Sequence, residues 1–287
     1  MRVLETVGAF RAARGAAPEP VGLVPTMGAL HEGHLSLARR ARGACATVAM
    51  SIFVNPTQFG PGEDLARYPR PLEHDLELAA GAGVDLVFYP PLEEMYPPDF
   101  ATAVEVNGPA RRWEGEHRPG HFRGVATVVA RLLGVVGPQK AYFGEKDWQQ
   151  LCVVRRLVAD LAIPVEIVGC PIVREPDGLA LSSRNVYLGP EERQYATALS
   201  RALRAGQARV AAGERDAEAV RRAMERVLLD TPGVVPDYVA VVEPQSLEPL
   251  TRLQGPARPA RALIAARVGG VRLIDNAPLP AEESSYS

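Results

Sequence analysis

The segment Val21-Gly-Leu-Val-Pro-Thr-Met-Gly-Ala-Leu-His-Glu-Gly-His34 runs from a short apolar stretch, through a turn holding Gly28 and Gly33, into the amphipathic stretch 35–41. An apolar run, a glycine-rich turn and a helical pattern in that order read as the strand-to-helix unit of an α/β sheet. Glycine lets a ligand approach the main chain, and the amide groups and dipole at the start of a helix favour an anion. His31 and His34 fall on neighbouring positions of the first helical turn. Both can donate to phosphate oxygens without the permanent charge of lysine or arginine. The spacing matches neither HExxH, GxGxxG nor a Walker loop. A phosphate-binding turn is therefore the leading reading, against a plain turn with surface histidines and against a metal pair.

The alternation continues outward. Residues 47–54, 84–89, 141–143 and 165–172 read as further strands, the first two of them continuously apolar as strands buried on both faces should be. Leu72, Leu76 and Ala79 repeat at helical spacing, and so do Val125, Val128, Val129, Leu132 and Leu133, with Gly134 expected to stop that helix. Residues 147–161 form another helix candidate with Asp147 as its N-cap. Strand and helix in turn predict a parallel sheet with helices on both faces over residues 1–174. From 175 to 287 the character changes. Two helices, 191–205 and 216–229, precede strand candidates 238–242, 262–268 and 271–274, with Gly269-Gly270 as a hairpin turn and 278–287 as a loose tail. A second, smaller α+β domain is expected there.

Bulk properties narrow the classes. The 287 residues are 47% hydrophobic and 23% charged with net charge -2, and the 32 basic residues form no block, so no nucleic-acid footprint is expected. No apolar run approaches a membrane span and the N-terminus lacks a signal core, which makes the cytoplasm the default and a membrane no expected partner. Cys45, Cys152 and Cys170 are widely spaced in apolar segments and read as buried thiols.

Four other stretches carry chemistry. Phe53-Val-Asn-Pro-Thr-Gln-Phe59 places the neutral forks of Asn55 and Gln58 at the carboxyl end of a central strand, where open α/β sheets bind ligands. Phe143-Gly-Glu-Lys-Asp-Trp-Gln-Gln150 repeats the strand-to-helix layout, with Lys146 for phosphate, Asp147 for a cap or a nucleotide hydroxyl, and Gln150 on the same side. Ala180-Leu-Ser-Ser-Arg-Asn185 offers two hydroxyls and a guanidinium that can clamp phosphate oxygens. No GxSxG elbow marks a nucleophilic serine. In His117-Arg-Pro-Gly-His-Phe-Arg-Gly124, Arg123 is an anion-ligand candidate while His117 and His121 shape the loop. Tyr68 is an accessory candidate, and Asp75 is either a magnesium ligand or a solvated helix residue. Each stretch also admits a bland alternative, a capped helix or a hydroxyl-rich loop.

Residues 25–34, 53–59, 144–150 and 181–185 resemble, in order and spacing, the signature segments of the pantoate-beta-alanine ligase (pantothenate synthetase) family. That family is part of the HxGH-type nucleotidyltransferase superfamily, related to class I aminoacyl-tRNA synthetases. The resemblance implies a Rossmann-like domain with a smaller C-terminal lid, and a two-step reaction. ATP and (R)-pantoate give pantoyl adenylate and pyrophosphate, and the amine of beta-alanine then displaces AMP; Mg2+ accompanies ATP. It also implies catalytic roles for His31, His34, Lys146 and Arg184. ATP would meet these four together with Pro25, Thr26, Met27, Gly144, Asp147, Ser182 and Ser183. Pantoate would meet Met27, Gln58 and Gln150, with Asn55, Tyr68 and Arg123 as accessories. Arg184 stands where the wider superfamily has lysine. A homodimer through the N-terminal domain is the family's common state. Two alternatives stay open: a related nucleotidyltransferase acting on another acid or phosphate, and a nucleotide-binding regulatory module without turnover.

Overall fold

The computed structural model describes residues 1–255 and 258–280. Contacts divide the chain into two units: Met1–Glu145 with Gln149–Val173, and Lys146–Trp148 with the residues from Arg174 onward. The dividing line thus differs from the expected one by Arg174 and by the three residues 146–148.

The first unit alternates β1 (Arg2–Leu4), α1 (Val7–Gly15), β2 (Val21–Thr26), α2 (Glu32–Arg42), β3 (Thr47–Ile52), α3 (Leu72–Gly81) and β4 (Leu86–Phe88). Two single-turn helices, α4 (Leu92–Met95) and α5 (Glu114–His117), lead to α6 (His121–Val136), β5 (Lys140–Gly144), α7 (Trp148–Asp160) and β6 (Glu166–Cys170). All strands run parallel in the order β1-β4-β3-β2-β5-β6. Every residue of β3 is buried, as a strand covered on both faces requires. Chain order reverses between β2 and β5, and those strands pair only through Gly22↔Lys140 and Leu23↔Ala141. Beyond that pairing their carboxyl ends open the crevice where such sheets take ligands.

Helix α6 passes through Gly134 and ends at Gly137, whose left-handed backbone (φ 53°) lets its N–H close on the Leu133 carbonyl. The expected stop at Gly134 is corrected. Asp147 ends a 3-10 turn (Glu145–Asp147) and immediately precedes α7, at the position expected of its N-cap. Strand β1 and helix α1, capped by Thr6, had no counterpart in the sequence reading.

The second unit packs α8 (Pro190–Ala196), α9 (Ala198–Ala211) and α10 (Ala217–Leu229) on the antiparallel sheet β7 (Val234–Val242), β8 (Ala260–Val268) and β9 (Val271–Leu279). The expected single helix 191–205 is broken at Thr197, whose hydroxyl turns back to the Gln194 carbonyl. Leu199, Leu203, Val220, Met224 and Leu228 meet Ile264 and Ala266 in one apolar core. The Gly269-Gly270 turn joins β8 to β9 through Val268↔Val271. Strand β9 continues to Leu279, so the start of the expected tail is paired; residues 281–287 lie outside the described ones.

Candidate active site

The turn after β2 is built by its own polar groups. Thr26 is buried, and its hydroxyl donates to the Ser51 carbonyl (2.7 Å) and accepts the Gly28 N–H (3.2 Å). Gly28 sits at φ 81°, and a Cβ there would lie 2.9 Å from Asp75 Oδ2, so glycine is required on both counts. Asp75, 1% exposed, accepts the N–H groups of Ala29 (2.8 Å) and Leu30 (2.7 Å) on its two oxygens. Burial pushes its carboxyl above the ordinary aspartate value while the two amide bonds pull it back. Asp75 is thus buried rather than solvated, and both of its oxygens clamp the turn. Among the described residues no group of three His, Cys, Asp or Glu is disposed to hold a metal ion.

His31 caps α2. Its Nδ1 accepts the Gly33 N–H at 3.1 Å, and His34 Nδ1 accepts the His31 N–H at 3.4 Å, a reciprocal capping box made of two imidazoles. The rings lie 4.1 Å apart. With both Nδ1 atoms accepting, the ring proton of each sits on Nε2. The paired side chains therefore present N–H donors, the polarity phosphate oxygens need. The Gly33 amide, one of the amide groups at the start of this helix, is taken by His31.

The second feature lies after β3. Asn55 is 1% exposed, and its Oδ1 accepts from Thr57 N (3.3 Å), Thr57 Oγ1 (2.9 Å) and the Tyr96 hydroxyl (2.8 Å). Its Nδ2 donates to the Gly124 carbonyl (3.2 Å) and to Gln58 Oε1 (3.0 Å). That last bond orients the Gln58 amide, whose Nε2 points to Met27 Sδ at 3.3 Å. A thioether is a weak acceptor. A hydroxyl or carboxylate oxygen therefore replaces it readily.

The Gln58 backbone is held as firmly. His121 Nδ1 donates to the Gln58 carbonyl at 2.8 Å, and His121 Nε2 accepts from Arg118 Nη1 at 3.1 Å. Arg118 also donates to that carbonyl (3.3 Å) and to both oxygens of Glu63 (2.8 and 2.6 Å). Burial and the neighbouring guanidinium push the His121 imidazole down to about 4. Although burial alone would raise it, the Glu63 carboxyl is kept below its ordinary value by Arg118. Helix α6 touches this turn through Gly124, where a Cβ would stand 2.3 Å from the Thr57 carbonyl oxygen. Sequence reasoning named none of Arg118, Glu63, Tyr96 or Gly124 as support for Gln58.

The other expected residues of the first unit divide. Met27 walls a cavity of about 310 Å³ at the carboxyl ends of β2 to β4, with Phe53, Pro56, Leu65 and Arg70 among its neighbours. Pro25 is the last residue but one of β2 and Gly144 the last of β5, beside the crevice. Of the two adjacent glutamines on α7, Gln149 is buried and bound to the backbone at Pro109, Arg112 and Glu114. Gln150 is the half-buried one that a ligand can reach. Tyr68 is buried edge-on to Phe59, and Arg123 is exposed.

Within the second unit, Lys146 Nζ lies 3.8 Å from Asp147 Oδ2. Ser182 caps a 3-10 turn (Ser183–Tyr187), its Oγ accepting the Arg184 N–H at 3.3 Å. The two expected hydroxyls and the guanidinium are thus carried by one tight turn.

The family model described as pantoate-beta-alanine ligase matches residues 2–278. The pantothenate synthetase of Roseiflexus castenholzii is 57% identical over 281 residues, covering 98% of this chain and all of that protein. The crystal structure of pantothenate synthetase from Thermus thermophilus is similar at TM-score 0.91 and 56% identity, over 96% of this chain and 98% of that one. A pantoate-beta-alanine ligase from Francisella tularensis, solved as a complex with beta-gamma ATP and beta-alanine, is similar at TM-score 0.78 and 34% identity, over 96% and 97% of the two chains.

Proposed function

The chain belongs to the pantoate-beta-alanine ligase family, and from that premise we propose how its residues divide the reaction it catalyses, the ATP-dependent condensation of pantoate with beta-alanine to pantothenate. A pantoate carboxylate oxygen attacks the α-phosphorus of ATP and pyrophosphate leaves. The amine nitrogen of beta-alanine then attacks the acyl carbonyl of the adenylate, AMP departs, and the amine proton goes to solvent or a phosphate oxygen.

The observation that carries the assignment is the imidazole capping box. Both Nδ1 atoms are occupied as acceptors, so His31 and His34 serve the triphosphate as paired Nε2–H donors rather than as bases. The first step needs no base, because the attacking carboxylate is already ionised. It needs donors fixed where negative charge gathers. Lys146, Ser182, Ser183 and Arg184 supply the remaining contacts to the departing phosphates. Pro25, Thr26 and Gly144 line the adenosine pocket, Thr26 by shaping the turn rather than by its committed hydroxyl. Asp147 receives the ribose.

Gln58 Nε2, resting on a sulfur, is the donor for pantoate's hydroxyl or carboxylate. Gln150 is its partner, and Met27 faces the gem-dimethyl group. Asn55 acts through Gln58. Arg123 remains an accessory phosphate ligand. Because both Asp75 oxygens are spoken for, magnesium belongs to the substrate, carried on the ATP phosphates.

The chain functions as a cytoplasmic homodimer formed through its first unit. Its three buried free cysteines suit a reducing compartment, and among the described residues no helix is long and apolar enough to cross a membrane. Sedimentation at micromolar concentration tests the dimer.

The experiment for the adenylate is exchange of labelled pyrophosphate into ATP without beta-alanine. It is expected only when pantoate is present. Pantothenate formation by protein that shows no such exchange would overturn the two-step scheme.

A further inference from the structure

Lys146 is separated from Arg174 by two elements of the first unit, yet residues 146–148 group with the second unit. Three contacts explain this. Asn276 Nδ2, on β9, donates to the Lys146 carbonyl at 2.9 Å. Trp148 Nε1 donates to the Pro244 carbonyl at 2.7 Å. The Arg261 guanidinium stacks on the Trp148 ring, 3.3 Å from its centroid, and donates to Asn276 Oδ1. That last bond fixes which way the Asn276 amide faces: with Oδ1 on Arg261, its donor can only point at Lys146. Asn276 and Arg261 are 2% and 5% exposed, so these bonds compete with little water.

The residue before Asn276 holds the other phosphate element. Asp275, 4% exposed, accepts a bidentate pair from Arg174 (2.6 and 2.9 Å) and also its neighbour's N–H, from Asn276 (2.8 Å). Arg174 donates to the Gly178 carbonyl (3.1 Å) and bridges Ala180, at the root of the Ser182 turn. Asn185 closes that turn on the Ala180 carbonyl at 3.1 Å. Two adjacent buried side chains of one strand therefore hold the Lys146 carbonyl directly and, through Arg174, the backbone at Gly178 and Ala180 that leads into the serine-arginine turn.

We propose that Asp275 and Asn276 are positioning residues that hold Lys146 in fixed register with Ser182, Ser183 and Arg184, so that the phosphate ligands from two distant stretches act as one rigid group. The inference rests on the reading that Lys146 contacts the phosphates. Neither residue touches substrate; they act through the backbone that carries the ligands. A misplacement of about 1 Å in such a group lowers turnover by roughly 100-fold without altering the rest of the fold.

Asn276→Asp is the informative variant. It keeps an acceptor for Arg261 and nearly the same shape, removes the donor to the Lys146 carbonyl and sets a carboxylate oxygen against it. Pantoate-dependent pyrophosphate exchange is expected to fall roughly 10- to 100-fold in kcat, with the KM for pantoate unchanged because Gln58 and Met27 lie in the other unit. In the double variant with Lys146→Ala, exchange should fall no further than in Lys146→Ala alone, since a ligand that is gone cannot be misplaced. Effects that multiply, or an Asn276→Asp enzyme with full exchange, would overturn the inference and leave the role of Lys146 standing. A Lys146→Ala enzyme with full exchange would overturn both. Should the carboxylate facing the carbonyl unfold the chain, as judged by circular dichroism, Asn276→Ala carries the same cycle.

Discussion

Acid should loosen the Gln58 turn through one side chain. His121 donates from Nδ1 to the Gln58 carbonyl and accepts from Arg118 at Nε2. A second proton on the ring must go to Nε2, where it destroys the acceptor and sets two cations face to face. The folded chain therefore resists protonation, with the imidazole at about 4 against the ordinary 6.5. The sign follows from linkage: between those values the unfolded chain binds more protons, so the contribution is fully present above 6.5 and is lost as pH falls toward 4. From about pH 8 to about pH 5 this one group should remove about 2 kcal/mol of unfolding free energy. The assay is urea unfolding across that range for the wild type and for His121→Asn, which keeps a donor near the Nδ1 position and cannot titrate. The wild-type curve should drop below the variant's by about that amount, and its KM for pantoate should rise in parallel. Curves that stay parallel to about pH 5 would refute the reasoning.

Other substitutions probe the neighbouring supports. Gly124→Ala inserts a Cβ 2.3 Å from the Thr57 carbonyl and 2.7 Å from Gln58 N; it should cost about 1–3 kcal/mol of stability and raise the KM for pantoate more than that for ATP. An unchanged ratio of the two KM values would contradict the packing argument. Asp75→Asn replaces a double acceptor by a single one, leaving one amide of residues 29–30 facing an NH2 group. A loss of about 1–3 kcal/mol is expected in urea, with the magnesium requirement unaltered; a raised requirement would restore Asp75 as a metal ligand. His34→Ala removes an Nε2–H donor and half of the capping box, so pyrophosphate exchange should fall at least about 100-fold, and wild-type exchange would sink the phosphate role.

The sequence was informative where one physical cause dominates. Residues 47–52 carry only apolar side chains and two small hydroxyls, Thr47 and Ser51, and all six are buried because both faces of β3 are covered; that pattern places the central strand. The histidine pair was legible as polar and adjacent, but its geometry was not. The i,i+3 spacing at a helix start is also the register of a capping box, and that signal would have predicted that the Nδ1 atoms and the Gly33 amide satisfy one another. Gly124 reads from sequence as the end of a loop, whereas it lies inside α6, and the turn it approaches lies 66 residues away in sequence by the numbering of Gln58 and Gly124. Arg2–Leu4 is too short for any period and is placed only by pairing with β4. Asp275 and Asn276 follow the expected strand 271–274 and are buried polar residues within β9. Their partners at Arg174 and Lys146 arise only from the fold.

The claim at the centre is that the carboxylate of pantoate, held by Gln58 and Gln150, attacks the α-phosphorus of an ATP held by paired imidazole donors. Pantoate carrying heavy oxygen in its carboxylate, turned over once with ATP and beta-alanine, tests this directly. One labelled oxygen per turnover is expected in AMP. Label recovered in inorganic phosphate, with ADP as the nucleotide product, would mean attack at the γ-phosphorus and would contradict the account.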